Sequence, residues 1–176
     1  MYPLDYMLDG HAEAGYKAIE RVGEAPHFYM DESWNQNPEE VRRKVEARGM
    51  RVELFTPECS CMQWRNNYAD DGAHRRSMEY LKRAMDVCTR LGASMMLTNA
   101  CGGTLDEDHD VAFDRAVRHF EQIARYAREA GVTMALESVR PQESKVCITL
   151  EDVAALAEAV DGPALGAALD TAAMGV

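Results

Sequence analysis

No run of apolar residues in this chain approaches the roughly 18 needed to cross a bilayer as a helix. The first residues, MYPLDYMLDGH, carry neither a basic segment nor an apolar core of signal-peptide type. The chain therefore reads as a cytoplasmic protein. Positive charge is also scarce: 19 Lys and Arg stand against 30 Asp and Glu, a formal charge of −11. That balance argues against a non-specific nucleic-acid binder, which needs excess cations to neutralise phosphates, and against a polybasic membrane-surface module. Cysteine gives no metal framework. Cys59, Cys61, Cys88, Cys101 and Cys147 make an odd set with no CxxC pair, so reduced thiols are expected. No GxGxxG follows any strand-like segment, and Gly102-Gly103 is too short for a phosphate loop.

What the chain does have is an ordinary globular composition, 47% apolar and 28% charged over 176 residues. That suits one domain or part of a larger one. Within it, helix-period segments alternate with short apolar runs. The spacing predicts helices over 4–14, 38–48 and 74–91, one carrying Phe113, Val117, Phe120, Ala124 and Ala127, and one starting at Thr149. Pro38 after Asn37 and the Thr149/Asp152 pair are helix-start signals, and Gly49, Gly92 and Gly131 are stop signals. Strands are predicted at 16–22, 50–56, 93–98, 132–138 and 165–170. Residues 23–37 read as loop, as does the stretch from Pro57 to Ala73. Such alternation calls for a parallel sheet with right-handed crossovers, either doubly wound or a (β/α)8 barrel.

In such folds the carboxyl ends of the strands form the functional face. Glu137 follows Met134-Ala135-Leu136 and Asp170 follows Ala168-Leu169, so both acids stand at the ends of apolar strands. An acid there needs water, a metal or a proton. Two oxygen donors on successive strands make half a site for a hard divalent cation. Pairing with Arg140 is the plainer role for Glu137, and capping a following helix is that of Asp170. His27 is a pocket residue or a surface loop histidine, and Glu58 faces a substrate hydroxyl or water. Trp34 and Trp64 are loop aromatics that wall a sugar site or pack their loops.

The ordered set Ala14-Gly15-Tyr16 to Glu20, Pro26-His27, Thr56-Pro57-Glu58, Arg75-Arg76-Ser77, Leu136-Glu137 with Pro141, Glu143 and Ser144, and Leu169-Asp170 resembles the xylose-isomerase-like TIM barrels. Within that sugar phosphate isomerase/epimerase superfamily it is most similar to the ketose 3-epimerases of the fructoselysine 3-epimerase type. The resemblance implies an α/β fold, a partial (β/α)8 TIM barrel of about strands 2–6, as one incomplete domain over residues 1–176. A full barrel takes about 250 residues. The resemblance also implies one divalent metal ion, Mn²⁺ or Mg²⁺, with Glu137 and Asp170 as ligands and Glu137 as acid/base. His27, Glu58 and Glu143 would bind substrate. The family's metal histidine and second catalytic glutamate would lie on strands this chain does not include, so the fragment is expected to be inactive alone. The implied partner is a small sugar or sugar derivative, with neither nucleic acid nor membrane, and homo-oligomerisation is open. The alternatives are a DNA-repair enzyme of the endonuclease IV type, a dehydratase on the same scaffold, and a non-catalytic half-barrel that self-associates.

Overall fold

Four of the five helices among the described residues begin at a side chain that accepts from first-turn N–H groups lacking partners. Asn37 caps α2 (Pro38–Glu46), Asp70 caps α3 (Asp71–Arg90), Asp108 caps α4 (His109–Ala130), and Thr149 caps α5 (Leu150–Ala159). At α5 the Asp152 carboxylate returns a bond to the Thr149 N–H, completing the reciprocal box. The first helix, α1 (Leu4–Glu13), has no side-chain cap. Gly131 closes α4 at φ +70°, a conformation that costs a residue with a Cβ.

This computed structural model describes residues 2–24, 27–28, 30–31, 34–57, 70–101, 103–104, 106–160, 162 and 164–172. Its main sheet holds β1 (Ala18–Gly23), β4 (Arg51–Pro57), β5 (Met95–Asn99), β6 (Thr133–Glu137) and β7 (Leu165–Ala168), with β2 (Met30–Asp31) and β3 (Trp34–Asn35) forming a separate antiparallel pair. That small hairpin lies inside the segment expected to be loop. Strands of two residues leave no periodicity to read. The last strand also stops at Ala168, so Asp170 lies just beyond it rather than within it. Much of the loop after β4, with Glu58, Cys59, Cys61 and Trp64, lies outside the described residues, as does Gly102.

The five main strands are all parallel and stand in chain order, β1-β4-β5-β6-β7. A doubly wound sheet would reverse direction part-way. Here each helix touches the next, α1 to α2, α2 to α3, α3 to α4 and α4 to α5. This is a run of βα units from a singly wound barrel, as expected.

Alternation along the strands separates two faces. Ile19, Val52, Phe55, Met96, Met134 and Leu136 are buried under the helices. They meet Leu81, Met85, Phe120, Ile123 and Leu156 in one core. The opposite face carries Leu54, Thr56, Leu97, Ala135 and Glu137, all half-buried, with Glu20 more exposed. Ion pairs tie the helices in order around the sheet. Lys44 of α2 and Arg48, two residues past its end, reach Asp5 and Asp9 of α1, and Arg90 of α3 grips Glu39 of α2. Between α3 and α4, His119 is fully buried with its Nδ1 3.2 Å from that of His74. Burial, with His74 adding to it, pushes His119 down to about 3, so it is neutral at physiological pH.

The buried thiols Cys88 and Cys147 are pushed up to about 12 by burial, which makes them unreactive. Among the described residues no helix is long and apolar enough to cross a membrane. Phe55, fully buried and edge-on to Phe28, anchors the core beneath β1 and β4. Phe55→Ala is expected to cost about 3–5 kcal/mol in urea unfolding, against about 1 kcal/mol for removing the helix cap by Thr149→Ala.

Candidate active site at the carboxyl ends of the strands

Parallel register brings the strand ends together. Glu137, the last residue of β6, stands opposite Asn99 of β5 on one side and Ala168 of β7 on the other. Asn99 is buried. Two residues beyond Ala168, the half-buried Asp170 shares a hydrogen bond with Glu137 and accepts the Ala172 N–H at 2.7 Å. The Asp170 side chain therefore also holds the turn that begins at residue 171.

Burial pushes the Glu137 carboxyl up to about 7, and the nearby negative charges of Asp170, Glu20 and Glu143 add to the rise. A carboxyl that holds its proton near neutral pH, against a second acid, is suited to proton transfer. Glu20 is the member that the sequence pattern did not single out. It extends from β1 and accepts the Thr56 hydroxyl at 2.6 Å. Glu20 stands mid-strand between Ile19 and Arg21, so it lacks the mark of Glu137, an acid that ends an apolar run.

Glu143 lies close enough to act on Glu137 but is held by another partner. Arg140 donates to it from Nε and Nη2 at 2.9 and 2.6 Å, and from its backbone N–H at 3.1 Å. So Arg140, the plainer partner for Glu137, grips Glu143. Below this turn the Ser144 hydroxyl donates to the Ala100 carbonyl and accepts from Val146 and Cys147, fastening the loop after β6 to the end of β5. His27 is placed differently. Its Nε2 donates to the Tyr2 carbonyl at 2.6 Å, and its ring lines a groove of about 470 Å³ along α1 with Tyr2, Tyr6, Met7, Gly10, His11 and Tyr16. Among the described residues its contacts are with this groove and not with the carboxylates. Glu58 lies outside the described residues.

The donor set fits part of a hard-cation site. Glu137 and Asp170 lie close enough to repel one another when both are ionised, and a cation between them would relieve that repulsion. Among the described residues no three His, Cys, Asp or Glu side chains gather in the arrangement of a complete metal site.

Residues 8–175 match the family of xylose isomerase-like TIM barrels. The chain belongs to that family. Among curated relatives, fructoselysine 3-epimerase of Escherichia coli O157:H7 is 24% identical over 171 residues, 97% of this chain and 62% of that enzyme. The enzyme of the same name from Shigella flexneri is 23% identical over the same extent. The chain thus spans about 62% of the length of these relatives. Among solved structures, an L-ribulose 3-epimerase superposes with a TM-score of 0.83 at 21% identity, over 98% of this chain and 56% of its own. A D-psicose 3-epimerase determined in the presence of D-fructose gives 0.79 at 17% identity, over 99% and 60%. An IolI protein with a binding zinc atom gives 0.79 at 18%, over 98% and 59%. At these identities the likeness is one of fold, and it identifies the five-stranded sheet as part of a TIM barrel.

The raised Glu137 gives a pH signature. The folded chain keeps this proton up to about 7, whereas an ordinary glutamate releases it near 4.5. The protonated form therefore favours folding below about 4.5, and that contribution is lost as pH rises through 7. Glu137→Gln removes the titration. In metal-free urea unfolding the variant is expected to gain steadily on the wild type between pH 4.5 and 7; a constant difference across that interval would refute the raised value.

Proposed function

We propose that these residues carry one part of the active site of a metal-dependent sugar isomerase of the ketose 3-epimerase type. The observation that supports this reading most is the hydrogen-bonded pair Glu137–Asp170 at adjacent strand ends of a xylose isomerase-like barrel. Glu137 and Asp170 would hold one divalent ion, Mn²⁺ or Mg²⁺. When bound, such an ion polarises a ketose carbonyl and makes the neighbouring carbon acid enough to lose a proton.

Glu137 then takes the proton from that carbon, leaving a planar enediolate. Inversion needs a second proton donor on the other face of the plane. One carboxylate supports exchange at the carbon but not efficient epimerisation, so we expect little turnover from these 176 residues alone. Arg140 orients Glu143, which is then placed to accept a sugar hydroxyl beside Glu137. His27 and Glu58 complete the proposed substrate contacts. The partner in this reading is a small sugar or sugar derivative in the cytoplasm, with neither nucleic acid nor membrane. Self-association is a further expectation, because among the described residues no strand pairs with the outer edge of β1 or of β7.

Calorimetry with Mn²⁺ tests the metal half. Saturable binding is expected, weakened at least about tenfold in Glu137→Ala and in Asp170→Ala with circular dichroism unchanged. A folded chain that binds no divalent cation would sink the reading. The chemistry is tested by NMR in D₂O with D-fructose: solvent exchange at carbon 3 is expected with Mn²⁺ and is lost in Glu137→Gln.

A further inference from the structure

α3 and α4 pack against one another in the middle of the helical layer, with α2 and α5 as their outer neighbours. Two histidines meet across that seam. His119, midway along α4, is fully buried, and His74, in the first turn of α3, is half-buried. Their rings stand edge to face with centroids 5.0 Å apart, and the two Nδ1 atoms are 3.2 Å apart. The Nε2 of His119 is buried and meets no partner.

This geometry limits how many protons the pair can hold. Facing Nδ1 atoms bond only when one bears a hydrogen and the other a lone pair. Two neutral rings meet that condition. The His119 Nδ1–H donates to the His74 Nδ1, and the His119 Nε2 is left as a lone pair rather than an unfilled N–H donor. A further proton has no good place. On His74 it fills both ring nitrogens, so the His119 hydrogen must move to Nε2, where no acceptor waits. On His119 it creates a buried cation.

The surroundings do not compensate. Asp70, ahead of α3, is engaged in capping Ala73, and Asp71 is exposed. Arg115, one turn before His119 on α4, pairs with Glu107. Lys82 of α3 lies over the Tyr126 ring of α4, two turns further along the seam. Arg75 and Glu79 on α3 and Arg118 and Glu121 on α4 are exposed. β6 and α5, which also pack on α4, bury only apolar side chains there. Among the described residues the charge that bears on His119 is that of His74, which is of like sign when both are protonated.

We propose that the His74–His119 pair is an acid-sensitive latch on the α3–α4 seam, closed while two neutral rings share a hydrogen bond and released when a further proton enters. The start of α3 follows the carboxyl end of β4 along the chain, so release loosens the rim side of the molecule. The latch does not depend on the epimerase reading. Linkage sets its sign. The closed pair keeps His119 neutral down to about 3, whereas an ordinary histidine takes its proton near 6.5. Closure is therefore at full strength above about 6.5 and weakens as pH falls, by up to about tenfold in its equilibrium constant per pH unit.

The test is amide hydrogen exchange by NMR on the intact chain between pH 7 and 5, corrected for the intrinsic exchange rate. In the wild type the amides of the first turns of α3 are expected to lose protection by up to about tenfold per pH unit below about 6.5, while those of β5 and β6 lose little. In His119→Leu the protection of α3 is expected not to vary with pH. The His119 Cε1–H resonance of the wild type is expected to keep its neutral position down to pH 5. Equal loss in α3, β5 and β6 would mean global acid unfolding and would overturn the latch. So would a wild-type α3 whose protection does not change, or the same pH dependence in a folded His119→Leu. Should that variant fail to fold, the wild-type contrast between α3 and the strands decides, read with the His119 resonance.

Discussion

Parallel pairing is the constraint on which the rest depends. Strands that all run one way need a return crossing, and right-handed crossings that always advance in the same direction across the sheet put every helix on the same side. That single choice makes one sheet face a dry core and leaves the other to the site. It also gathers all the carboxyl ends at one rim. Because β5, β6 and β7 are in register, Asn99, Glu137 and Ala168 end level with one another, and Asp170 arrives one short step later. The acid pair is therefore a consequence of register rather than of any contact made by the loops.

The electrostatics divide along the same line. On the outside, carboxylates are matched by cations from neighbouring helices, as Asp5 and Asp9 are by Lys44 and Arg48. Arg90 holds the Glu39 carboxyl down to about 2. At the rim, acids face acids, and Glu137 is displaced in the opposite direction. The same residue type is thus driven both ways by its surroundings, and only the rim arrangement asks for an outside cation.

Much of this was legible in the sequence because its causes are local. The Asn37-Pro38 start, the Thr149/Asp152 box and the Gly131 stop are all as expected, since each is a short-range hydrogen-bond or steric rule. Glu137 and Asp170 were readable from an acid ending an apolar run. What escaped depends on long-range partners. Glu20 joins the cluster only because β1 lies beside β4. The burial of Arg21 was equally invisible, since β1 alternates charged residues on both faces and the sequence does not say which face is covered. The β2–β3 hairpin was missed because two residues per strand are too few to show a period.

The alternation along β6 has one further consequence. Met134 and Leu136 support the core, and Glu137 is the next residue along. The core layer and the proposed site are thus written on interleaved positions of one strand. A lineage can revise the acids at the rim without disturbing the layer that keeps the sheet folded, and can repack that layer while the acids stay in place. Evolution is free to change the two separately, which gives such a scaffold room to acquire new chemistry.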